Sequence, residues 1–349
     1  MKKQKNKLKN NKKIMKTTIL FIFLDICAAI CFFIMYGPWN YVRNLYVTTA
    51  MQTRSHKYLA NVFYTNEEIE EIMNNNYFIG VDEEVNLNHI VINTEEKVKY
   101  KDEYEEELLT RDPGNDLYKV INVKVGNAKG YLIAIYDPTK VKLLRTKRFN
   151  VGTIGERVID MCKRYKGSVC INGGWFANGL DNGSDVPLGY VIDDGEILWP
   201  KKNDYSSTKG NIIGITNDGK LTLMSNATGP EAINAGVKYG IEFGPFLIVN
   251  GKSAKIVGMP YGVANKCIIA QRQDGVMMFL VTEGESYIDG ASLKDVVEVL
   301  EKYGAYNAAN LDGGQSTSLV INNKLHNTPN HLAKKQGGRY VVTGWGLIP

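Results

Sequence analysis

Cysteine and histidine are scarce in this chain, five and four among 349 residues, and neither forms a recognisable pattern. The sequence has no CxxC pair and no HExxH, so the common zinc arrangements are excluded. Cys27 and Cys31 fall in an apolar run. Cys162, Cys170 and Cys267 are scattered and odd in number, which reads as buried free thiols rather than a disulfide framework. None of His56, His89, His326 and His331 lies in a motif, and no Ser-His-Asp triad is expected around Ser316. His326 and His331, in a loop, read as surface residues. No Walker loop occurs, and the glycine-rich stretches lack the strand, GxGxxG and helix order of a dinucleotide site. Basic residues are also in short supply outside the N-terminus. Residues 1–16 hold eight lysines and no acid, more than the whole formal net charge of +5. The remaining body is slightly acidic, so the basic face of a general nucleic-acid binder is absent.

What the N-terminus does have is a long apolar run. Residues 17–36, TTILFIFLDICAAICFFIMY, can cross a ~30 Å hydrocarbon core as one helix, interrupted only by Asp25. The lysines before it predict a cytoplasmic N-terminus and an extracytoplasmic remainder at the cell membrane. A cleaved signal peptide is the alternative, but no small-x-small site closely follows the run. Trp39 and Tyr41 suit a membrane interface. Residues 40–65 look partly helical. Residues 66–117 are rich in Glu and Asn and end in KDEYEEELLTRDPGND, which reads as a solvated face. The expected organisation is a basic tail (1–16), a transmembrane helix (17–36), a stem (37–117) and a domain (118–349).

That domain is dense in hairpin signals: Asp194-Gly195, Asp218-Gly219, Asn250-Gly251 and Asp274-Gly275 each separate β-rich runs. YKVINVKV followed by GYLIAIYD adds another strand pair. Two helices are expected. One starts at Thr153 with Glu156 as a capping box, carries Val158, Met161, Cys162 and Tyr165 on one face, and ends at Gly167. The other starts at Ser292 with Asp295, carries Leu293, Val296, Val297 and Leu300, and ends at Gly304. The fold class is therefore α+β, an antiparallel-rich sheet with two main helices.

Each helix leads into a strand that ends alike: SVCI runs into Asn172-Gly173-Gly174, and AYNAANL into Asp312-Gly313-Gly314. Glycine admits positive φ and close backbone approach, and successive amides there can form an anion cradle. The two corners are expected to lie close together. Tight turns explain either pair alone; two copies flanked by Trp175-Phe176 and Gln315-Ser316-Thr317 point further. Trp175 suits stacking on a sugar face as well as core packing.

The ordered set INGGWF, PLGYVIDDGEI, FGPFLIVNGK, VTEG and GASLKDVVEVLEKYGAYNAANLDGGQSTSLVINN resembles the phosphodiester glycosidase family over about residues 120–349. The family includes a lysosomal enzyme that removes N-acetylglucosamine from a sugar phosphodiester, and bacterial relatives described as exopolysaccharide-biosynthesis proteins. The resemblance implies a hydrolase whose carboxylates stabilise oxocarbenium-like charge. It implies Asp312 and Glu283 as those carboxylates, with Gly313, Gly314, Ser316 and Thr317 as phosphate or sugar contacts. Asn172, Gly173 and Gly174 would form the opposite wall, and Lys266 or Arg339 would supply the cation. Gln315 stands where the family usually has Gly, Lys266 where it has Arg, and Glu283 where it has Asp. Lys lacks the bidentate fork for phosphate. The implied partner is a carbohydrate phosphodiester or surface polysaccharide. No cofactor is indicated, and a divalent cation stays compatible with the carboxylates. The rival reading is a non-catalytic polysaccharide-binding or assembly protein; attack at phosphorus is a weaker one.

Overall fold

Tight hairpin turns need residues that tolerate positive φ, and the Asp-Gly and Asn-Gly pairs supply them. The computed structural model describes residues 2–53, 56–177, 183–200, 209–284, 289–327 and 337–349, with no side-chain description for 2–10. In it Asp194-Gly195 joins Val191–Asp193 to Glu196–Trp199, and Asn250-Gly251 joins Phe246–Val249 to Lys252–Ser253, with all four turn residues left-handed. At Asp218-Gly219 and Asp274-Gly275 the turns are longer and only the glycine is left-handed. They connect Gly210–Thr216 to Leu221–Ala227 and Cys267–Arg272 to Met277–Glu283.

The chain divides into two compact units, Met1–Asn76 and Tyr77–Pro349. The first is helical. Lys2–Tyr36 is one helix, and its stretch Asn11–Tyr36 is long and apolar enough to cross a membrane, as an anchor or as a signal sequence. Phe21, Phe23 and Phe32 stand well exposed along it. Asn40–Gln52 and Asn66–Asn74 follow, the latter started by a Thr65–Glu68 capping box. Val47, Ala60, Tyr64, Ile69 and Ile72 form this unit's own small core.

The second unit is built from antiparallel sheets. The seven-stranded sheet runs Lys252–Ser253, Phe246–Val249, Ala305–Asn310, Cys267–Arg272, Met277–Glu283, Ala128–Ile135, Tyr118–Val125. One five-stranded sheet runs Lys324–Leu325, Leu319–Ile321, Val169–Asn172, Thr343–Leu347, Val141–Arg145. The other runs Leu221–Ala227, Gly210–Thr216, Val237–Glu242, Val191–Asp193, Glu196–Trp199. The main core lies among these sheets, where Ile133, Phe279, Ile171, Trp345, Ile213 and Ile241 meet. The opposite face of the seven-stranded sheet is covered by the helix Leu293–Lys302, whose Ser292–Asp295 capping box forms as expected.

Three expectations need correction. The first helix begins at Val158, not Thr153. Gly152 and Gly155 are left-handed, the Thr153 amide and hydroxyl both donate to Asp185 at 3.0 Å, and Glu156–Arg157 pairs with Tyr340–Val341 as a short strand. Second, Cys162 and Cys170 are not free thiols but a disulfide joining that helix to the strand Val169–Asn172; Cys267 is buried and free. Third, residues 77–117, assigned to the stem, pack into the second unit. In the acidic helix Glu103–Leu109 the apolar Leu108 and Leu109 enter the core beside the Leu293–Lys302 helix, and Glu105 pairs with buried Arg272 at 2.7 Å.

That ion pair predicts a pH effect. Burial alone would raise the Glu105 carboxyl, but hydrogen bonds from Lys97, the Lys101 amide and Arg272 outweigh it and bring the pKa to about 2. A carboxyl lowered on folding contributes stability above its unfolded pKa and loses it as pH falls through the folded value. Glu105→Gln is expected to lower the melting temperature at pH 7, with the gap to wild type closing as pH falls from about 5 to 2. A gap independent of pH would refute this role for Glu105.

Candidate active site

Asn172 ends a strand of one sheet and Asp312 follows a strand of another, and the two glycine corners meet where these sheets join. The Asp312 amide donates to the Gly173 carbonyl at 3.0 Å, and Asn172 Nδ2 donates to the Asp312 carbonyl at 2.6 Å. Asn172 Oδ1 accepts from the Ser318 amide at 2.9 Å, so one buried amide ties both ends of the second corner. Glycine is required by proximity. A Cβ on Gly173 would lie 2.7 Å from Thr343 Oγ1, and one on Gly313 would lie 2.6 Å from the Asn265 carbonyl oxygen.

Three of the corner amides are bonded within the protein. Gly173 donates to the Thr343 carbonyl, Gly174 to Thr343 Oγ1 and Gly314 to the Asn265 carbonyl. These bonds hold the corners together and, among the described residues, leave the amides of Gly313 and Gln315 outside the internal set. Arg339 brings a guanidinium beside the second corner. Its Nη1 donates to Ser316 Oγ at 3.2 Å, and its guanidinium lies 4.9 Å over the Phe176 ring. Gln315 is exposed, whereas Thr317 is fully buried with its hydroxyl unpartnered among the described residues. Trp175 is 53% exposed and meets Phe243 edge-on at 5.1 Å.

Glu283 ends the strand Met277–Glu283 and shares a face with Val281, which lies opposite Cys267. The Cys267 thiol is 3.8 Å from the Asn172 carbonyl oxygen, and burial followed by the Asp312 charge pushes its pKa up. Glu283 therefore lies on the sheet face that meets the two corners. The strands leading to Asp312 and Glu283 lie on either side of Cys267–Arg272, about 10 Å apart by strand spacing. Glu283 accepts from the Tyr131 hydroxyl at 2.9 Å and pairs with Lys129 at 3.3 Å.

The Lys266 main chain borders the Gly313 corner, just before the strand Cys267–Arg272, but its amine is directed elsewhere. Its amine donates to the Tyr261 and Gly262 carbonyls, and burial, partly opposed by Asp295 of the covering helix, lowers its pKa to about 8. His326 packs edge-on against Tyr131, while His331 lies outside the described residues. Among the described residues no three His, Cys, Asp or Glu side chains gather as a metal-ligand group. A cavity of about 250 Å³ lies elsewhere, lined by Asn93, Lys97, Arg111, Tyr136 and Asp274 among others. The sequence reading missed Thr343, Ser318 and Asn265, which brace the corners, and Lys129 and Tyr131, which hold Glu283. Strand register places Thr343, Lys129 and Tyr131, and loop hydrogen bonds place Ser318 and Asn265.

Residues 165–348 match the family model described as phosphodiester glycosidase. The fold is similar to the zebrafish N-acetylglucosamine-1-phosphodiester alpha-N-acetylglucosaminidase catalytic domain auto-inhibited by pro-peptide. That match has 19% identity, covers 66% of this chain and 82% of the other, and has a TM-score of 0.53. A hypothetical protein from Synechocystis matches at 17% identity over 66% of this chain and 61% of its own, with a TM-score of 0.43. No curated protein matches the chain.

Proposed function

The chain belongs to the phosphodiester glycosidase family, and from that premise we propose that it hydrolyses a sugar-1-phosphodiester in a cell-surface polysaccharide or wall polymer. The observation that carries the reading is the Asn172–Asp312 junction, with Arg339 beside Ser316 on one side and Glu283 across the intervening strand. Water adds to the anomeric carbon, the bond from that carbon to the phosphate oxygen breaks, and its electron pair leaves on the phosphate. One carboxylate of Asp312 and Glu283 takes the proton from water, and the other stabilises positive charge on the sugar. Arg339 holds the departing phosphate with a planar fork, a role that its position supports better than that of Lys266.

In this reading the N-terminal helix is a single-pass anchor, with a cytoplasmic N-terminus and an extracytoplasmic second unit. The Cys162–Cys170 disulfide supports that placement, because such bonds persist where thiols are oxidised. The test uses the purified full-length chain in detergent with N-acetylglucosamine 1-phosphate methyl diester and related hexose diesters in ¹⁸O-labelled water. Free reducing sugar carrying the label is expected; label in the phosphate would mean attack at phosphorus. Arg339→Ala is expected to lower kcat/KM about 100-fold, with Arg339→Lys recovering only part of it. Polymer binding without turnover, unchanged by Asp312→Asn and Glu283→Gln, would establish the binding or assembly role instead.

A further inference from the structure

Glu283 is a long side chain at the last position of its strand, directly before Gly284. Left to itself it would sample several rotamers, and a carboxylate that acts on a substrate needs one. Two residues of the neighbouring strand Ala128–Ile135 supply the constraint. Lys129 lies directly opposite Glu283 in register and Tyr131 lies opposite Val281, so all three side chains share one face. The Tyr131 ring is buried in the main core with only its hydroxyl end reaching Glu283. The Tyr131 and His326 ring centres lie 4.7 Å apart in an edge-to-face contact, and His326 closes the hairpin that follows the Asp312 corner. Lys129 lies 4.8 Å over the same ring while pairing with Glu283. Tyr131 is thus fixed from both arms of the site.

We infer that Tyr131 is a positioning residue, whose hydroxyl holds the Glu283 carboxylate in its working orientation. The inference rests on the catalytic assignment of Glu283 in the proposed function. Burial raises the phenol pKa, with Lys129 opposing the rise and Glu283 adding to it, so the hydroxyl stays a donor across the working pH range. The ring edge contact with His326 passes the same constraint to the segment after Asp312, which keeps the two carboxylates in fixed relation.

The experiment compares wild type, Tyr131→Phe, Glu283→Gln and the double variant as full-length chains, with N-acetylglucosamine 1-phosphate methyl diester as substrate. Phe keeps the buried ring and removes only the hydroxyl, so folding is expected to survive. Tyr131→Phe should lower kcat roughly 10- to 100-fold with KM changed less than about threefold. In the Glu283→Gln background the same change should cost nothing further, because the hydroxyl bonds only Glu283 and the Lys129 that pairs with it. Lys129→Met, at an exposed position, should give a smaller loss in kcat, also absent in that background. Effects of Tyr131→Phe and Glu283→Gln that multiply would show a general structural role and overturn the inference. A slow Glu283→Gln beside a wild-type Tyr131→Phe would overturn it alone. A fully active Glu283→Gln, or a wild type without turnover, would remove the assignment of Glu283 and this inference with it.

Discussion

Replacing Asp312 with Asn is expected to cut turnover about 10²- to 10⁴-fold while leaving affinity for a hexose 1-phosphate within a few-fold. The substitution keeps shape and removes only charge and basicity. The corner is held by main-chain atoms of Asp312, whose amide donates to Gly173 and whose carbonyl accepts from Asn172. The melting temperature should therefore stay close to wild type. Separate measurement of kcat, ligand affinity and melting resolves the three effects. Turnover at the wild-type rate would exclude Asp312 from the chemistry, and a collapse of stability would show that its carboxylate is structural.

Asn172→Ala is expected to do the opposite, with damage that starts in the fold. Asn172 is 1% exposed and its amide serves two backbone groups from a distant part of the chain, the Asp312 carbonyl and the Ser318 amide. Alanine leaves both without that partner in a buried setting, at about 1–3 kcal/mol each. A loss of about 2–6 kcal/mol follows, or roughly 4–12 °C in melting temperature for a unit of this size. Activity measured well below that transition should still fall at least tenfold, because the Asp312 corner loses its brace. Asn172→Asp separates the two bonds: it retains an acceptor for Ser318 but offers no donor to Asp312. It should lose activity while recovering part of the stability. An Asn172→Ala chain with wild-type melting and turnover would show that the junction holds nothing in place.

The hairpins and the Ser292 helix were legible because local chemistry decides them: left-handed turn residues fix the strand ends, and a capping box fixes the helix start. The meeting of the two corners was legible from the repeated polar-Gly-Gly ending, although its internal bonding was not. The amides of Gly173, Gly174 and Gly314 looked free because their acceptors, Thr343 and Asn265, lie far along the chain or in another strand. Thr153 and Glu156 form a valid capping pattern, yet Asp185 takes the threonine and Arg164 takes the glutamate. The Cys162–Cys170 bond was invisible for a related reason, since three cysteines without a spacing pattern indicate no pairing until a helix is laid on a strand. Lys266 and Arg339 were equal candidates as charges; the Lys266 amine is taken by the Tyr261 and Gly262 carbonyls, whereas Arg339 donates to Ser316.

The acidic helix Glu103–Leu109 determines where this protein can safely be cut. A fragment beginning at residue 118 would look complete by its hairpins and motifs. It would also strip Leu108 and Leu109 from the back of the seven-stranded sheet and deprive Arg272 of Glu105. An apolar scar would result, and the buried Arg272 guanidinium would keep only Asp274 and the Tyr303 carbonyl. Such a fragment could be inactive for reasons unrelated to its catalytic groups, so any soluble version should keep the whole stretch from Tyr77 onward.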